Sequence, residues 1–352
     1  MLTVLTNNVR QQHEREGRGA NNRPELRQKL IIELVQKQFT EFQIIYSSKT
    51  ISIPWLANIH DIDYLNFLED AYNELFKIKD TDWMDSTGGL VPNHFFKTKP
   101  NKNVPIYKLS GYYGSDCISP IYKDTYQNSM IAAQQAYTAA QILSDSDSSN
   151  IVYVLACSPG HHAKTNEYGG YCYINNAVVA AYRLTELGHN KVAILDLDFH
   201  ASNGCAEMIN NNPKLKNKLY LCSIHCDPIV DYPSYEGYED DYDNDAIVNF
   251  PMNPHTTWEE YQEVLENTCT IIKKWGVDAL LIAFGADTYC EDPDASPLGR
   301  FQLKLQDYDK MGRIIRENFD DLPMIITQEG GYDMENVPEI VCRFLSNLLP
   351  GA

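Results

Sequence analysis

The sequence has few positive charges, and this deficit excludes two common kinds of partner. Its 352 residues carry 29 lysines and arginines against 48 aspartates and glutamates, so the formal net charge is −19. A protein that binds nucleic acid or an anionic membrane needs the opposite sign, so neither partner is expected. An acidic surface instead raises the local concentration of cations, including amines. Charge alone does not separate that role from simple solubility.

Other absences bear on the cellular setting. No run of about 18 apolar residues is present, so no membrane-spanning helix is expected. Residues 1–19 contain no apolar core of signal-peptide length. The nine cysteines are an odd number and include no CxxC pair, in a chain too long to need disulfide bonds. These features predict a reduced, cytoplasmic setting.

Short apolar runs alternate with helical stretches over most of the chain. The runs predicted to be buried parallel strands are 152–157, 192–197, 219–224, 279–284 and 324–327. The stretches between them that favour helices are 177–187, 258–275 and 305–319. This alternation predicts an α/β fold, a doubly wound parallel sheet with helices on both faces. Because no linker and no internal repeat is present, we expect a single domain over residues 1–352.

The N-terminal part is less regular. Within residues 1–50 only 24–39 is expected to be helical, and the remainder is expected to be polar and irregular. A second helix is expected over 60–76. Residues 80–103 are rich in Asp, Gly, Pro, Asn and Lys and are predicted to form a long loop.

Histidines, acids and a tyrosine follow the predicted strands at the point where each strand ends. In chain order they are His161 and His162, then Asp196, Asp198 and His200, then Ser223 and His225, then Asp287, then Tyr332. Ligands of such sheets bind beyond the carboxyl ends of the strands. Five strand ends that deliver His, Asp and Tyr to one edge are hard to explain by packing, so this edge is the predicted functional site.

Three of these residues suit a metal ion. Asp198 and His200 are two residues apart, so on a strand their side chains would point to the same side. A DxDxH motif alone is as compatible with a hydrogen-bonded core cluster, since buried carboxylates are seldom unpaired. Asp287, from another strand end, supplies a third ligand and favours a zinc site with open coordination positions.

The remaining residues suit acid–base chemistry. His161 and His162 become candidates for a general base and acid beside a metal, because imidazole titrates near neutrality. Tyr332 follows two glycines and is placed to donate its hydroxyl to a developing oxyanion. The set predicts metal-assisted hydrolysis of a carbonyl compound. No Ser–His–Asp order, phosphate-binding loop or GxGxxG motif competes with this interpretation.

An ordered series of motifs resembles a known family. SPGHHA, GGYCYINNAVVAAYRL, ILDLDFH, SIHCDP, GADTYCEDP and EGGYDMENVPEI look like the motifs of histone deacetylases and of their bacterial relatives, the acetylpolyamine amidohydrolases. The aromatic residue of GGYC, the segment DYPSYEGYEDD and EGG before the tyrosine resemble the amidohydrolases more closely. The resemblance extends from about residue 59 to the C-terminus, and residues 1–50 match only loosely. It implies an arginase/deacetylase-like α/β fold.

The resemblance also implies roles for the residues at the sheet edge. Asp198, His200 and Asp287 would bind one catalytic zinc ion, and Tyr332 would polarise the acetyl carbonyl. His162 would be the principal general base and acid.

Further residues would support this centre. His161 would be an electrostatic partner paired with Asp196, and Asn203 would be the hydrogen-bond partner of His162. Gly170, Tyr171 and Tyr232 would line a narrow tunnel. A structural potassium ion is implied as well, at a site formed by Asp196, Asp198, His200, Ser223 and Ile224.

The function that the resemblance implies is removal of acetyl groups from acetylputrescine, acetylcadaverine or acetylspermidine, which gives acetate and the free amine and belongs to polyamine metabolism. Asp294 at the tunnel mouth would meet the distal ammonium of such a substrate, with Asp116 as the second candidate. A solvated acid in a turn is the alternative interpretation of Asp294. A homodimer is implied through the loop at 80–103.

Three alternatives use the same residues differently. A protein acetyl-lysine deacetylase shares the chemistry, and its substrate is also cationic. A non-catalytic acetyl-amine-binding scaffold would be expected to lack a histidine or the tyrosine, and all are present. A binuclear manganese ureohydrolase would need an acid two residues after the metal-binding histidine, where Ser202 stands.

Overall fold

Eight parallel strands form the sheet on which the rest of the chain packs. The computed structural model describes residues 2–7, 23–46, 48–100, 104–145 and 151–349. The strands are β1 (Leu2–Leu5), β2 (Phe42–Ile45), β3 (Ile151–Val154), β4 (Val192–Asp196), β5 (Leu219–Cys226), β6 (Ile247–Met252), β7 (Ala279–Phe284) and β8 (Met324–Gln328). Their order in the sheet is β2-β1-β3-β8-β7-β4-β5-β6. Every neighbouring pair is parallel, so all eight carboxyl ends lie at one edge.

Helices cover both faces of the sheet. They are α1 (Pro24–Gln38), α2 (Ile53–Leu56), α3 (Ile62–Ile78), α4 (Ser110–Tyr113), α5 (Thr125–Ser144), α6 (Asn176–Glu186), α7 (Asn203–Asn211), α8 (Trp258–Trp275), α9 (Leu305–Asn318) and α10 (Val337–Leu348). No helix in the described ranges is long and apolar enough to cross a membrane.

The alternation of side chains along the strands divides the core into two layers. In β3, Val152 and Val154 join a buried cluster with residues of α3, α5 and α6. Ile151 and Tyr153, which alternate with these valines along β3, join a second cluster with residues of α1, α8, α9 and α10. Successive strand residues point to opposite faces, so both faces of the sheet are apolar and both require helices. The predicted doubly wound α/β architecture is confirmed.

The five predicted strands are present as β3, β4, β5, β7 and β8, and the predicted helices as α1, α3, α6, α8 and α9. Three strands were missed. The expectation that residues 1–50 are irregular outside 24–39 is wrong, because β1 and β2 lie there. Each has only four residues, and β1 finds its second partner β3 about 150 residues along the chain. Periodicity over so short a run carries little information, and long-range pairing decides the conformation.

The long loop is largely as expected. Residues 80–100 have no longer element than a 3-10 turn at Thr81–Trp83. Residues 101–103, the end of the segment expected to contact a second copy, lie outside the described residues, as do residues 8–22 of the N-terminal segment.

Candidate active site

The five central strands carry the predicted site. β3, β8, β7, β4 and β5 are neighbours in that order. Their carboxyl ends therefore bring together segments that are more than 170 residues apart in sequence, from His161 to Tyr332. Residues that follow these strands line one cavity of about 620 Å³. They include His161, His162, Gly170, Tyr171, Asp198, His200, Asp231, Tyr232, Asp294 and Tyr332.

Asp198, His200 and Asp287 form a buried group beyond the carboxyl ends of β4 and β7. One ligand-type atom from each lies within 4.8 Å of the other two. His200 Nδ1 is 3.2 Å from Asp198 Oδ1 and 3.3 Å from Asp287 Oδ2. Asp198 and Asp287 are at most 1% exposed. Two carboxylates so close together in a buried place require a cation or a proton.

The surroundings of these residues fit a metal ion. Asp287 Oδ2 is buried and accepts no hydrogen bond within the described part of the chain. Gly285 and Gly330 pack so tightly on the carboxylates of Asp198 and Asp287 that a Cβ at either glycine would overlap them. Burial and the neighbouring Asp198 raise the pKa of Asp287 to about 7. A divalent cation would bind this oxygen and offset both the burial and the repulsion from Asp198 that raise the pKa.

Asp198 and His200 are close together, but not because they lie on one strand, as expected from the sequence. β4 ends at Asp196, so neither residue lies on the strand. They lie in a turn, where the His200 backbone N–H donates to Asp198 Oδ1 at 2.9 Å. This bond, rather than the two-residue repeat of a strand, brings the two side chains together.

His161 and His162 have opposite electrostatic surroundings. His161 Nδ1 is 3.1 Å from Asp196 Oδ2, and its Nε2 is 3.7 Å from Asp198 Oδ1. Burial acts to lower its pKa, but these two carboxylates outweigh burial and raise it to about 10. Burial lowers the pKa of His162 well below its usual value, and the positive charge of His161 adds to that effect. Neighbouring groups whose pKa values move apart are typical of acid–base sites.

His162 is held from two sides. Its Nδ1 is 2.8 Å from Asn203 Oδ1, the partner that the family resemblance implied. Its ring lies edge-on to Tyr232, with centroids 4.6 Å apart. Gly170 packs against the same ring so closely that a Cβ there would overlap it. A glycine is therefore required at this point, and its positive φ of 53° suits glycine as well.

The aromatic residues expected in the tunnel all border the cavity. Tyr171 and Tyr332 lie with ring centroids 6.0 Å apart, and Tyr232 lies opposite His162. Tyr332 is held by its backbone N–H, which donates to Asp292 Oδ2 at 2.7 Å. Burial raises the pKa of the Tyr332 phenol well above its usual value, so the hydroxyl keeps its proton and remains a donor.

The two candidate substrate acids are in different situations. Asp294 lines the cavity, and its carboxylate accepts no hydrogen bond among the residues that the structure describes. Burial raises its pKa to about 6. The Asp116 carboxylate instead accepts four hydrogen bonds, from Ile118 N, Ser119 N, Ser119 Oγ and Gly170 N. Asp116 is thus bonded to the Gly170 turn rather than turned to the cavity.

The residues expected to hold a potassium ion lie next to the candidate metal ligands, and two of them, Asp198 and His200, belong to both groups. Asp196 is fully buried, and its Oδ1 accepts the Asp198 backbone N–H. Ser223 Oγ is 2.8 Å from His225 Nδ1 and accepts the Ser202 backbone N–H at 3.3 Å. Ile224 follows on β5 and is buried.

Sequence reasoning missed three supporting acids. Asp292 accepts the backbone N–H groups of Tyr332, Asp333 and Asp294. Asp231 borders the cavity, and its Oδ2 accepts the Ser296 N–H at 2.6 Å. Glu329 accepts from Gly160 N and His161 N. All three belong to quoted segments, Asp231 to DYPSYEGYEDD, Asp292 to GADTYCEDP and Glu329 to EGGYDMENVPEI, but none of them was assigned a role.

A second group of ligand-type atoms, from His161, Cys172 and Glu329, is less suited to a metal ion. The Glu329 carboxylate already accepts three hydrogen bonds. Burial raises the pKa of the Cys172 thiol well above its usual value, which opposes the thiolate that a metal needs.

Comparison with known proteins identifies relatives of this chain. A family model described as the histone deacetylase domain matches residues 22–348. Acetylpolyamine amidohydrolase 1 of Pseudomonas aeruginosa is 33% identical over 293 residues, which cover 80% of this chain and 79% of that protein. The acetylpolyamine amidohydrolase of Mycoplana ramosa is 31% identical over 304 residues, with 84% and 82% covered. The crystal structure of acetylpolyamine aminohydrolase from Burkholderia pseudomallei matches with a TM-score of 0.83 at 25% identity and covers 99% of this chain and 98% of that one.

The fold, the site and these matches define a class of protein, an enzyme that hydrolyses amides. Within that class, the chain belongs to the histone deacetylase family. The resemblance inferred from the motifs is confirmed, as is the arginase/deacetylase-like fold.

Proposed function

We propose that this enzyme uses zinc to remove acetyl groups from acetylated polyamines, releasing acetate and the free amine. One observation carries the proposal. Asp198 and His200 line the cavity and converge with the fully buried Asp287, and the same cavity is lined by the carboxylate of Asp294, which accepts no hydrogen bond in the described ranges. The first suits a catalytic metal and the second suits a cationic substrate. The names of the two amidohydrolase relatives point to the same substrate class.

Asp198, His200 and Asp287 would hold the zinc ion. When bound there, zinc supplies a Lewis acid for the acetyl carbonyl and the attacking water. His162, whose lowered pKa keeps it neutral, takes the proton from water and later delivers it to the leaving amine. His161, paired with Asp196, stays cationic and stabilises negative charge that develops nearby.

The remaining cavity residues orient the acetamide. The Tyr332 hydroxyl donates to the carbonyl oxygen as charge builds on it. The rings of Tyr171 and Tyr232, with the Gly170 backbone, enclose an unbranched methylene chain and exclude water from the reacting bond.

Asp294 is the candidate for the distal ammonium. It lines the cavity with a carboxylate that no described donor occupies, whereas the four hydrogen bonds to Asp116 leave that residue little capacity for a substrate. We therefore assign the charge recognition to Asp294 and keep Asp116 as the second candidate.

A structural potassium ion completes the proposal. It would bind the Asp196 carboxylate, the Ser223 hydroxyl and nearby backbone carbonyls of Asp198, His200 and Ile224. Replacing potassium by sodium in the buffer should lower the thermal midpoint if the ion is bound there. An unchanged midpoint would argue against the site.

A side-by-side turnover assay tests the function. Zinc-loaded enzyme is given acetylputrescine, acetylcadaverine, acetylspermidine and an acetyl-lysine peptide, with and without a chelator. We expect the acetylpolyamines to have the higher kcat/KM and the chelator to abolish turnover. Preference for the peptide would support a protein deacetylase instead. Binding of acetylated amines without turnover would support a non-catalytic scaffold.

A further inference from the structure

A line of polar contacts leads from His162 to a partly buried ion pair outside the cavity lining. His162 Nδ1 is 2.8 Å from Asn203 Oδ1. Asn203 Nδ2 donates to Glu236 Oε2 at 2.9 Å. The other oxygen, Glu236 Oε1, is 2.9 Å from Lys164 Nζ. Three segments far apart in sequence thus meet behind one histidine, and none of the reaction steps above uses Glu236 or Lys164.

Glu236 determines the direction of every hydrogen bond in this line. An ionised carboxylate only accepts, so the Asn203 amide must turn its Nδ2 towards Glu236 and its Oδ1 towards His162. The Asn203 oxygen also only accepts. His162 must therefore carry its proton on Nδ1, which leaves Nε2 as the proton acceptor. This is the tautomer that a general base at the cavity needs.

We propose that Glu236 is a positioning residue that acts through Asn203 to hold His162 in its Nδ1–H tautomer and in the orientation used for catalysis. Lys164 keeps the Glu236 carboxylate in place. The inference rests on the proposed role of His162 as the general base, and the experiments separate the two.

The alternative is that the ion pair only fastens the loop at 231–241 to the segment at 161–167. The chain offers a matched control for this. Lys164 Nζ is also 2.9 Å from Glu167 Oε1, so Glu167 has the same ion-pair partner at the same distance. Glu167 makes no contact with Asn203 among the described hydrogen bonds. The two glutamates are similarly exposed, at 30% and 23%.

The first experiment compares Glu236→Gln with Glu167→Gln. In Glu236→Gln, one carbonyl oxygen must serve both the Lys164 ammonium and the Asn203 amide, and the new NH₂ group opposes one of them. We expect kcat on acetylputrescine to fall by about tenfold with little change in KM, the scale seen when the partner of an orienting group is lost. Glu167→Gln should stay within about twofold of native. Equal losses, or a native kcat in Glu236→Gln, would overturn the proposal.

A double-mutant cycle tests whether Glu236 acts through Asn203. In an Asn203→Ala background, Glu236→Gln should cost less than about twofold in kcat, because the link is already broken. Multiplying losses would contradict the proposal. If Glu236→Gln fails to fold, Glu236→Asp keeps the charge but shortens the side chain, and should also lower kcat.

A spectroscopic measurement reports the tautomer directly. In ¹⁵N-histidine-labelled enzyme, the His162 resonance, assigned by its loss in His162→Ala, should show the Nδ1–H pattern. Glu236→Gln should change this pattern and Glu167→Gln should not. Zinc content and the thermal midpoint should match native in both. If His162→Ala turned over normally, the proposed base would be wrong, while an unchanged tautomer in Glu236→Gln would refute the positioning role alone.

Discussion

In the proposed function, single buried residues at the carboxyl edge of the sheet carry the chemistry, and the proposed metal ligands are the first to test. Asp198→Ala or His200→Ala should lose zinc and activity together, because two remaining ligands are too few for a stable catalytic site. Metal analysis of the purified variants measures the first loss and turnover the second. Two manganese ions per native chain, or full activity in a chelator, would contradict the assignment.

The acid–base residues should behave differently from the ligands. His162→Ala and Tyr332→Phe should keep the metal, yet each should lower kcat by at least about a hundredfold, the scale of a positioned base or one oxyanion donor. His161→Ala should cost less, since its expected task is electrostatic support. Native turnover in Tyr332→Phe would mean that another group polarises the carbonyl.

Asp294 should set the preference for charge. Two unit charges about 5 Å apart attract by roughly 3 kcal/mol at an effective dielectric near 20. Water at the open mouth reduces this to about 1 kcal/mol, so Asp294→Asn should lower kcat/KM for acetylpolyamines several-fold. A neutral acetamide of similar length is the control and should be unaffected. Equal losses on both substrates would mean that Asp294 only holds its turn.

The raised pKa of Asp294 predicts that KM for an acetylpolyamine depends on pH. The pKa of Asp294 is raised to about 6, so its carboxylate is charged above that pH and becomes neutral as the pH falls through it. KM for an acetylpolyamine should therefore rise below about pH 6. In Asp294→Asn this rise should disappear. A rise of equal size in the variant would assign the effect to another group.

At the scale of elements, β1 gives the clearest test, because the sequence did not predict it. Leu5 is fully buried on this strand between β2 and β3. Leu5→Ala should lower the free energy of unfolding by about 2–4 kcal/mol, through lost burial and a cavity. Leu26→Ala is the same change at a position 36% exposed on α1, and should cost under about 0.5 kcal/mol. Denaturant unfolding measures both, and similar losses would mean that β1 does not belong to the core.

For the whole molecule, the charge of −19 should matter for a cationic substrate. An acidic surface steers cations towards it, and salt screens this attraction. Added sodium chloride should therefore lower kcat/KM for acetylspermidine more than for a neutral acetamide. Equal effects on the two substrates would show that the charge serves solubility alone. The single-domain and homodimer interpretations stay predictions at this scale.

The sequence by itself determined five of the eight parallel strands, the edge at which the candidate site lies and the identity of the residues that converge there. Buried strands need continuous apolar runs, and parallel strands place all their carboxyl ends at one edge. Asp198, His200 and Asp287 could therefore be grouped although five elements, α7, β5, β6, α8 and β7, separate the first two from the third. The ordered motifs supplied the family.

Only the tertiary structure decided which partner each polar group has. Asp116 was a candidate for the substrate, but the structure bonds it to the backbone of Gly170, 54 residues away. Asn203 was expected beside His162, yet its link to Glu236 was not foreseen. Such bonds depend on side-chain direction between segments brought together by the fold, and no periodic pattern records that direction. β1 likewise became a strand because β2 and β3 lie on either side of it, which four residues of sequence do not specify.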